Sequence, residues 1–155
     1  MHRPREERTE EEQERLNRQM IELLNELRVA MPGVQILFGF LLAVPFQQRF
    51  GQVDDFQRTV YFVTLLAAAT ATAFLIAPSA YHRIAFRTNE KPDIIRIGTR
   101  EFLGGLIALA VAMNGAILLV TDVLFGAGTV VVTMVCVASL FVWLWFGVGI
   151  WRRTR

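Results

Sequence analysis

One cysteine (Cys136), one lysine (Lys91) and two histidines (His2 and His82) leave this chain few ways to do chemistry. A single thiol builds neither a disulfide framework nor a multi-cysteine metal site, and Cys136, inside an apolar tract, reads as a small core residue. Haem held by two histidines needs both at depth on facing helices, but His2 stands in a charged N-terminal stretch and His82 at the edge of an apolar run. The sequence has no HExxH, no Cys/His cluster, no glycine-rich phosphate loop and no nucleophile beside a base. No catalytic residue, cofactor or metal is therefore expected. Basic residues flank apolar tracts instead of clustering with aromatic readers on one surface, which argues against nucleic acid as a partner.

Charge is scarce too, at 19% of residues against 54% hydrophobic, and it is bunched so that long uncharged tracts remain. A helix needs about 20 apolar residues to cross about 30 Å of hydrocarbon. Four tracts qualify, near residues 29–46, 60–80, 102–124 and 129–151, and the predicted fold is all-α, a four-helix transmembrane bundle over residues 29–155. Residues 1–14, with no apolar residue after Met1, read as a solvated charged tail. Over 15–28, Leu16, Met20, Leu23 and Leu27 form the stripe of a short amphipathic helix on the cytoplasmic side, lying against the membrane surface or the bundle end. This segment has no apolar leader core, so the first span is expected to act as the insertion signal.

Pro32 is expected in the first turn of span one, Pro45 at its far end, and Pro78 at the close of span two. Lys91-Pro92-Asp93 has the composition of a helix start, and Gly126-Ala127-Gly128 reads as a tight turn between antiparallel neighbours. Lys and Arg number six before span one, two in the first loop, five in the second, none in the third and three at the C-terminus. That alternation predicts a multi-pass protein of the cytoplasmic membrane with both termini inside.

Polar residues at membrane depth are costly and often mark sites. Gln35 lies about one turn inside span one, in line with Gly39 and Ala43; Asn114 lies near mid-span, and Asp122 at the outer end of span three. Amides in such bundles more often bond a neighbouring helix than line a substrate path. Glu26, Arg28, His82, Arg83, Arg87, Arg96 and Glu101 fall at the inner boundary, as a charge network pinning helix ends or as contacts for lipid headgroups. Two stripes of small residues, Gly104, Ala108, Ala112 and Ala116 in span three and Ala69, Ala73 and Ala77 in span two, read as packing seams, with a dimer interface as the alternative.

NELRVAMPGVQILFGFLLAVPFQQRF at 25–50 and APSAYHRIAFR at 77–87 resemble a family of small bacterial four-span membrane proteins catalogued as a domain of unknown function. The resemblance covers the chain from about Leu16 onward and implies the four-span fold. Some relatives carry a sodium/proton antiporter label, for which these spans offer no carboxylate clearly at depth. Small multidrug transporters, also of four short spans, depend on a glutamate in the first; Gln35 stands in that region here and cannot exchange a proton. The expectation is a non-enzymatic accessory, structural or interaction component meeting membrane lipids, a second copy or another membrane protein. The alternatives are a small oligomeric transporter or channel and a lipid-binding protein using Arg83, Arg87 and Arg96.

Overall fold

The structure, a computed structural model, describes residues 3–84, 91–125 and 127–147. Among them are four α-helices and no strand: α1 (Arg3–Ala43), α2 (Asp55–Ile84), α3 (Lys91–Leu124) and α4 (Ala127–Val142), the last continued by one π turn, Trp143–Gly147. The all-α, four-helix expectation holds, and stretches of all four helices are long and apolar enough to cross a membrane.

Three helices outrun their predicted spans because apolarity marks the hydrocarbon, while helix ends are set by caps and propensity. α1 is the clearest case. Between residues 5 and 31 the sequence has neither Gly nor Pro and is dense in Glu, Arg, Gln and Leu, all good helix formers, with Glu11–Arg15 and Glu14–Arg18 at the supporting i, i+4 spacing. One helix therefore runs through the expected tail, the expected amphipathic segment and most of the first span, and a separate N-terminal helix is not present among the described residues. Pro32 consequently lies inside α1, not in a first turn, and Pro78 lies inside α2, which continues to Ile84.

The apolar stripe that starts at Leu16 does not stop where the predicted first span begins. Met20, Leu23, Leu27, Ala30, Val34, Leu37, Leu41 and Val44 follow at alternating steps of three and four, and each is buried or half-buried. On α2 the buried positions Tyr61, Thr64, Ala68, Ala71, Leu75 and Pro78 keep the same steps. A mean spacing of about 3.5 residues is the repeat that keeps a seam facing neighbouring helices that wind in a left-handed supercoil.

The chain divides into two compact units, Met1–Ile36 with Thr70–Leu106, and Leu37–Ala69 with Ile107–Arg155. In the first, Leu23, Leu27 and Val34 are buried with Ala71, Leu75, Pro78, Gly98 and Gly105. Its helices meet at glycine. A methyl on Gly98 would stand 2.9 Å from Leu23 Cδ2, and one on Gly105 would stand 2.9 Å from both Cγ and Cδ2 of Leu75. In the second, Leu41, Tyr61, Ala68 and Ala112 form one core cluster, with Leu37, Phe38, Phe50 and Leu119 against it. There a methyl on Gly115 would overlap Thr64 Oγ1.

α4 buries no residue from Ala127 to Val142. Cys136 is accordingly exposed and not a core residue. Trp145 stacks edge-on against Phe141, with ring centroids 4.9 Å apart. Of the fourth predicted span, residues 148–151 lie outside the described residues.

Candidate functional site: a polar rim above an apolar groove

The second unit holds a polar constellation where α1 turns into α2. α1 ends at Ala43 and passes through 3₁₀ turns at Val44–Phe46 and Gln48–Gln52. Pro45 has no N–H, so it cannot donate to the carbonyl four residues back, on Leu41. The Tyr61 hydroxyl donates to that carbonyl at 2.9 Å. Phe50 packs on the Tyr61 ring, centroids 5.1 Å apart and nearly perpendicular, fixing the ring that carries the donor.

The start of α2 is capped reciprocally. Asp54 Oδ1 accepts from the Gln57 N–H at 2.7 Å, and Gln57 Oε1 accepts from the Asp54 N–H at 3.3 Å. Gln57 has a second role, because its Nε2 donates to Asp122 Oδ2 at 2.9 Å. This amide joins the first turn of α2 to the last turn of α3 across 65 positions of sequence. Asp122 is half-buried, and it sits where a carboxylate is disfavoured: a helix C-terminus carries negative potential, and the last turn of α3 has no basic residue. The ion pair found among the described residues, Arg58–Asp55 at 3.4 Å, is largely solvent-exposed and contributes little.

Two cavities border this constellation. One, about 500 Å³, is lined by Gln47, Gln52, Gln57 and Asp122 together with Phe50 and Val123. The other, about 410 Å³, has a mostly apolar wall that includes Leu37, Phe40, Leu119 and Val120, with Gln57 and Tyr61 as its polar residues. Val44, Phe50, Val53, Gln57 and Val123 line both.

The other sequence candidates are scattered. Asn114 is half-buried, and its Nδ2 donates to the Ala110 carbonyl of its own helix at 2.8 Å. Thr64 and Thr121 do the same to Val60 and Ile117, at 2.7 Å each. Gln35 is exposed on α1, and Gly33 beside it has nothing within 4 Å of where its Cβ would be. Glu26 and Arg28 are exposed. Glu101 is half-buried, with Oε2 enclosed and without a hydrogen-bond partner among the described residues. His82 and Arg83 fall in α2 and Arg96 in α3, their side chains outside what is described, and Arg87 lies outside the described residues altogether.

Of the small-residue stripes, Ala112 is buried, Gly104, Ala108, Ala116, Ala69 and Ala77 are half-buried, and Ala73 is exposed. Steps of four advance about 40° around a helix each time, so a strict every-fourth stripe leaves the buried face. The buried face of α2 instead carries Ala68 and Ala71, and the close approaches of α3 are at Gly98, Gly105 and Gly115. Among the described residues no group of three or more His, Cys, Asp or Glu is placed to hold a metal ion.

Fold and site together define an all-α chain with four helices of membrane-crossing length and apolarity, in which a side-chain hydrogen bond joins α2 to α3 at the rim. The chain belongs to a family of unknown function (DUF6328), whose profile matches residues 9–149. No curated protein and no solved structure matches it.

Proposed function

We propose that this protein is a non-enzymatic integral membrane component that acts by associating with another helix in the bilayer, either a second copy or a different membrane protein. Both termini are cytoplasmic in this reading, which the alternation of Lys- and Arg-rich segments supports. The observation that carries it is Gln35. It is exposed on α1 inside the first apolar segment, six residues beyond Val29, or about 9 Å along the helix. No hydrogen-bond partner for it is found among the described residues. An amide facing hydrocarbon leaves donors and acceptors unsatisfied at several kcal/mol per group. A partner helix that hydrogen-bonds it removes that penalty, and Gly39, one turn further on the same face and with nothing within 4 Å of where its Cβ would be, permits close approach. Thr64, Asn114 and Thr121 donate to carbonyls of their own helices, which leaves these three bound within their helices and not aligned as a polar track.

The test is native mass spectrometry of the full chain released in nanodiscs from its own membrane. Assemblies containing a second copy or a stoichiometric foreign subunit, dissociated by Gln35→Leu, are expected; a lone protomer unaffected by that change would count against association. The rim pocket favours a second reading, a small oligomeric transporter, because it places a carboxylate next to an apolar groove. Gradient-driven flux in reconstituted vesicles, lost in Asp122→Asn with folding intact, would replace the first reading with this one.

A further inference from the structure

We propose that the rim pocket and the adjoining groove together bind a lipophilic monocation, an ammonium head on a single alkyl chain, with the head at Asp122 and the chain along the apolar wall. Three features of the second unit select that chemistry, independently of Gln35. The first is charge. Asp122 is the one charged residue among those described as lining the polar cavity, and the carbonyl end of α3, whose last turn holds no basic residue, adds to its negative potential. A cation relieves both, and an anion is repelled by both.

The second is the character of the other acceptors. Gln47, Gln52 and Gln57 offer neutral oxygens, and Gln57 already holds Asp122 in place through Nε2, so the carboxylate keeps lone pairs for a ligand. One carboxylate among neutral amides suits a single positive charge. A calcium-like ion demands more anionic oxygen. Phe50 on the same wall gives a quaternary ammonium an aromatic surface.

The third is continuity. The polar cavity and the apolar one share five lining residues, so a head bound at Asp122 has its chain already at the entrance to the groove. A hydrophilic cation leaves that groove unused, and a neutral amphiphile leaves the carboxylate unanswered.

The experiment is native mass spectrometry of the full chain in a neutral polyoxyethylene detergent, titrated with dodecyltrimethylammonium and its decyl and octyl analogues. Tetramethylammonium and dodecyl maltoside supply the head alone and an uncharged chain. One bound cation per protomer is expected, tighter as the chain lengthens and not displaced by the maltoside. Asp122→Asn, which still offers an oxygen to Gln57 Nε2, should weaken it by about tenfold or more, as the loss of one close charge–charge attraction of about 1–4 kcal/mol implies. Val120→Asn, on the exposed apolar wall, should flatten the dependence on chain length while leaving the protein folded. Undiminished binding by Asp122→Asn, binding of tetramethylammonium as tight as that of the dodecyl compound, displacement by the maltoside, or an unchanged chain-length series in Val120→Asn would each overturn the proposal.

Discussion

Tyr61→Phe removes one oxygen, and the structure says which group loses its partner. The Leu41 carbonyl is deprived of a helical donor by Pro45 and takes the Tyr61 hydroxyl instead, at 2.9 Å, with Leu41 and Tyr61 only 5% and 7% exposed. An unsatisfied buried carbonyl costs about 1–3 kcal/mol. Tyr61→Phe should therefore destabilise the fold by about that amount, with no change in packing beyond the lost hydroxyl. The second half of the test is Pro45→Ala. Alanine restores an N–H four residues after Leu41, and alone it should shift stability by less than about 1 kcal/mol, through the freed backbone. In the double variant the Tyr61→Phe penalty should fall to within about 0.5 kcal/mol, giving a coupling of about 1–2 kcal/mol. Equilibrium unfolding of the four proteins in mixed micelles, titrated with dodecyl sulfate and followed by circular dichroism, reads each value. Additive effects of the two substitutions, or a Tyr61→Phe variant as stable as the parent, would refute the argument that the hydroxyl replaces the missing proline donor.

Gly115→Ala should destabilise by about 1–2 kcal/mol, since overlap with Thr64 outweighs the gain in helix propensity, and Thr64→Ala in the same chain should recover at least half in the same unfolding assay. Gly105→Ala should cost more than Gly98→Ala, because Leu75 meets the new methyl with both Cγ and Cδ2 and is fully buried, whereas Gly98 meets only the far end of Leu23 at that distance. Gly33→Ala and Gly39→Ala, with nothing within 4 Å, should be neutral or stabilising by up to about 1 kcal/mol. Leu27→Ala should cost about 2–4 kcal/mol in thermal or denaturant unfolding, against less than about 0.5 kcal/mol for Ile21→Ala, which is 60% exposed.

The four helices were legible because hydrocarbon thickness sets a minimum apolar length that few other structures need. Their ends were not, and the reasons are local. α3 does begin at Lys91, where Pro92 and Asp93 suit a first turn, yet α2 begins at Asp55 through a cap made by Asp54 and Gln57, upstream of the apolar tract that marked the span. The stripe from Leu16 to Leu27 was visible, but its continuation through Val34 and Leu41 was hidden inside a uniformly apolar run, where a seam has no contrast. That is why one helix looked like two.

The candidate site divides the same way. Asp122 stood out as a lone acid at the end of an apolar tract. Gln57 did not, because no local pattern announces a contact 65 positions away. Asn114 and Gln35 are both amides at depth and indistinguishable by sequence; only the structure turns one onto its own helix carbonyl and leaves the other exposed. Cys136 looked like core because its tract is apolar, and apolarity alone does not separate a buried face from a face turned outward.

Association through the exposed face of α1 is tested most directly by cross-linking in the native membrane. Ile36→Cys, 62% exposed and adjacent to the intact Gln35, would be placed in a Cys136→Ser background and treated with a short bis-maleimide, beside Val132→Cys on α4 as a control of similar exposure. A discrete heavier adduct, of twice the mass or of the chain plus one partner, is expected from the α1 position and little from the α4 position, with its loss when Gln35→Leu is added. Equal yields at both positions, or an adduct indifferent to Gln35, would contradict association through that face.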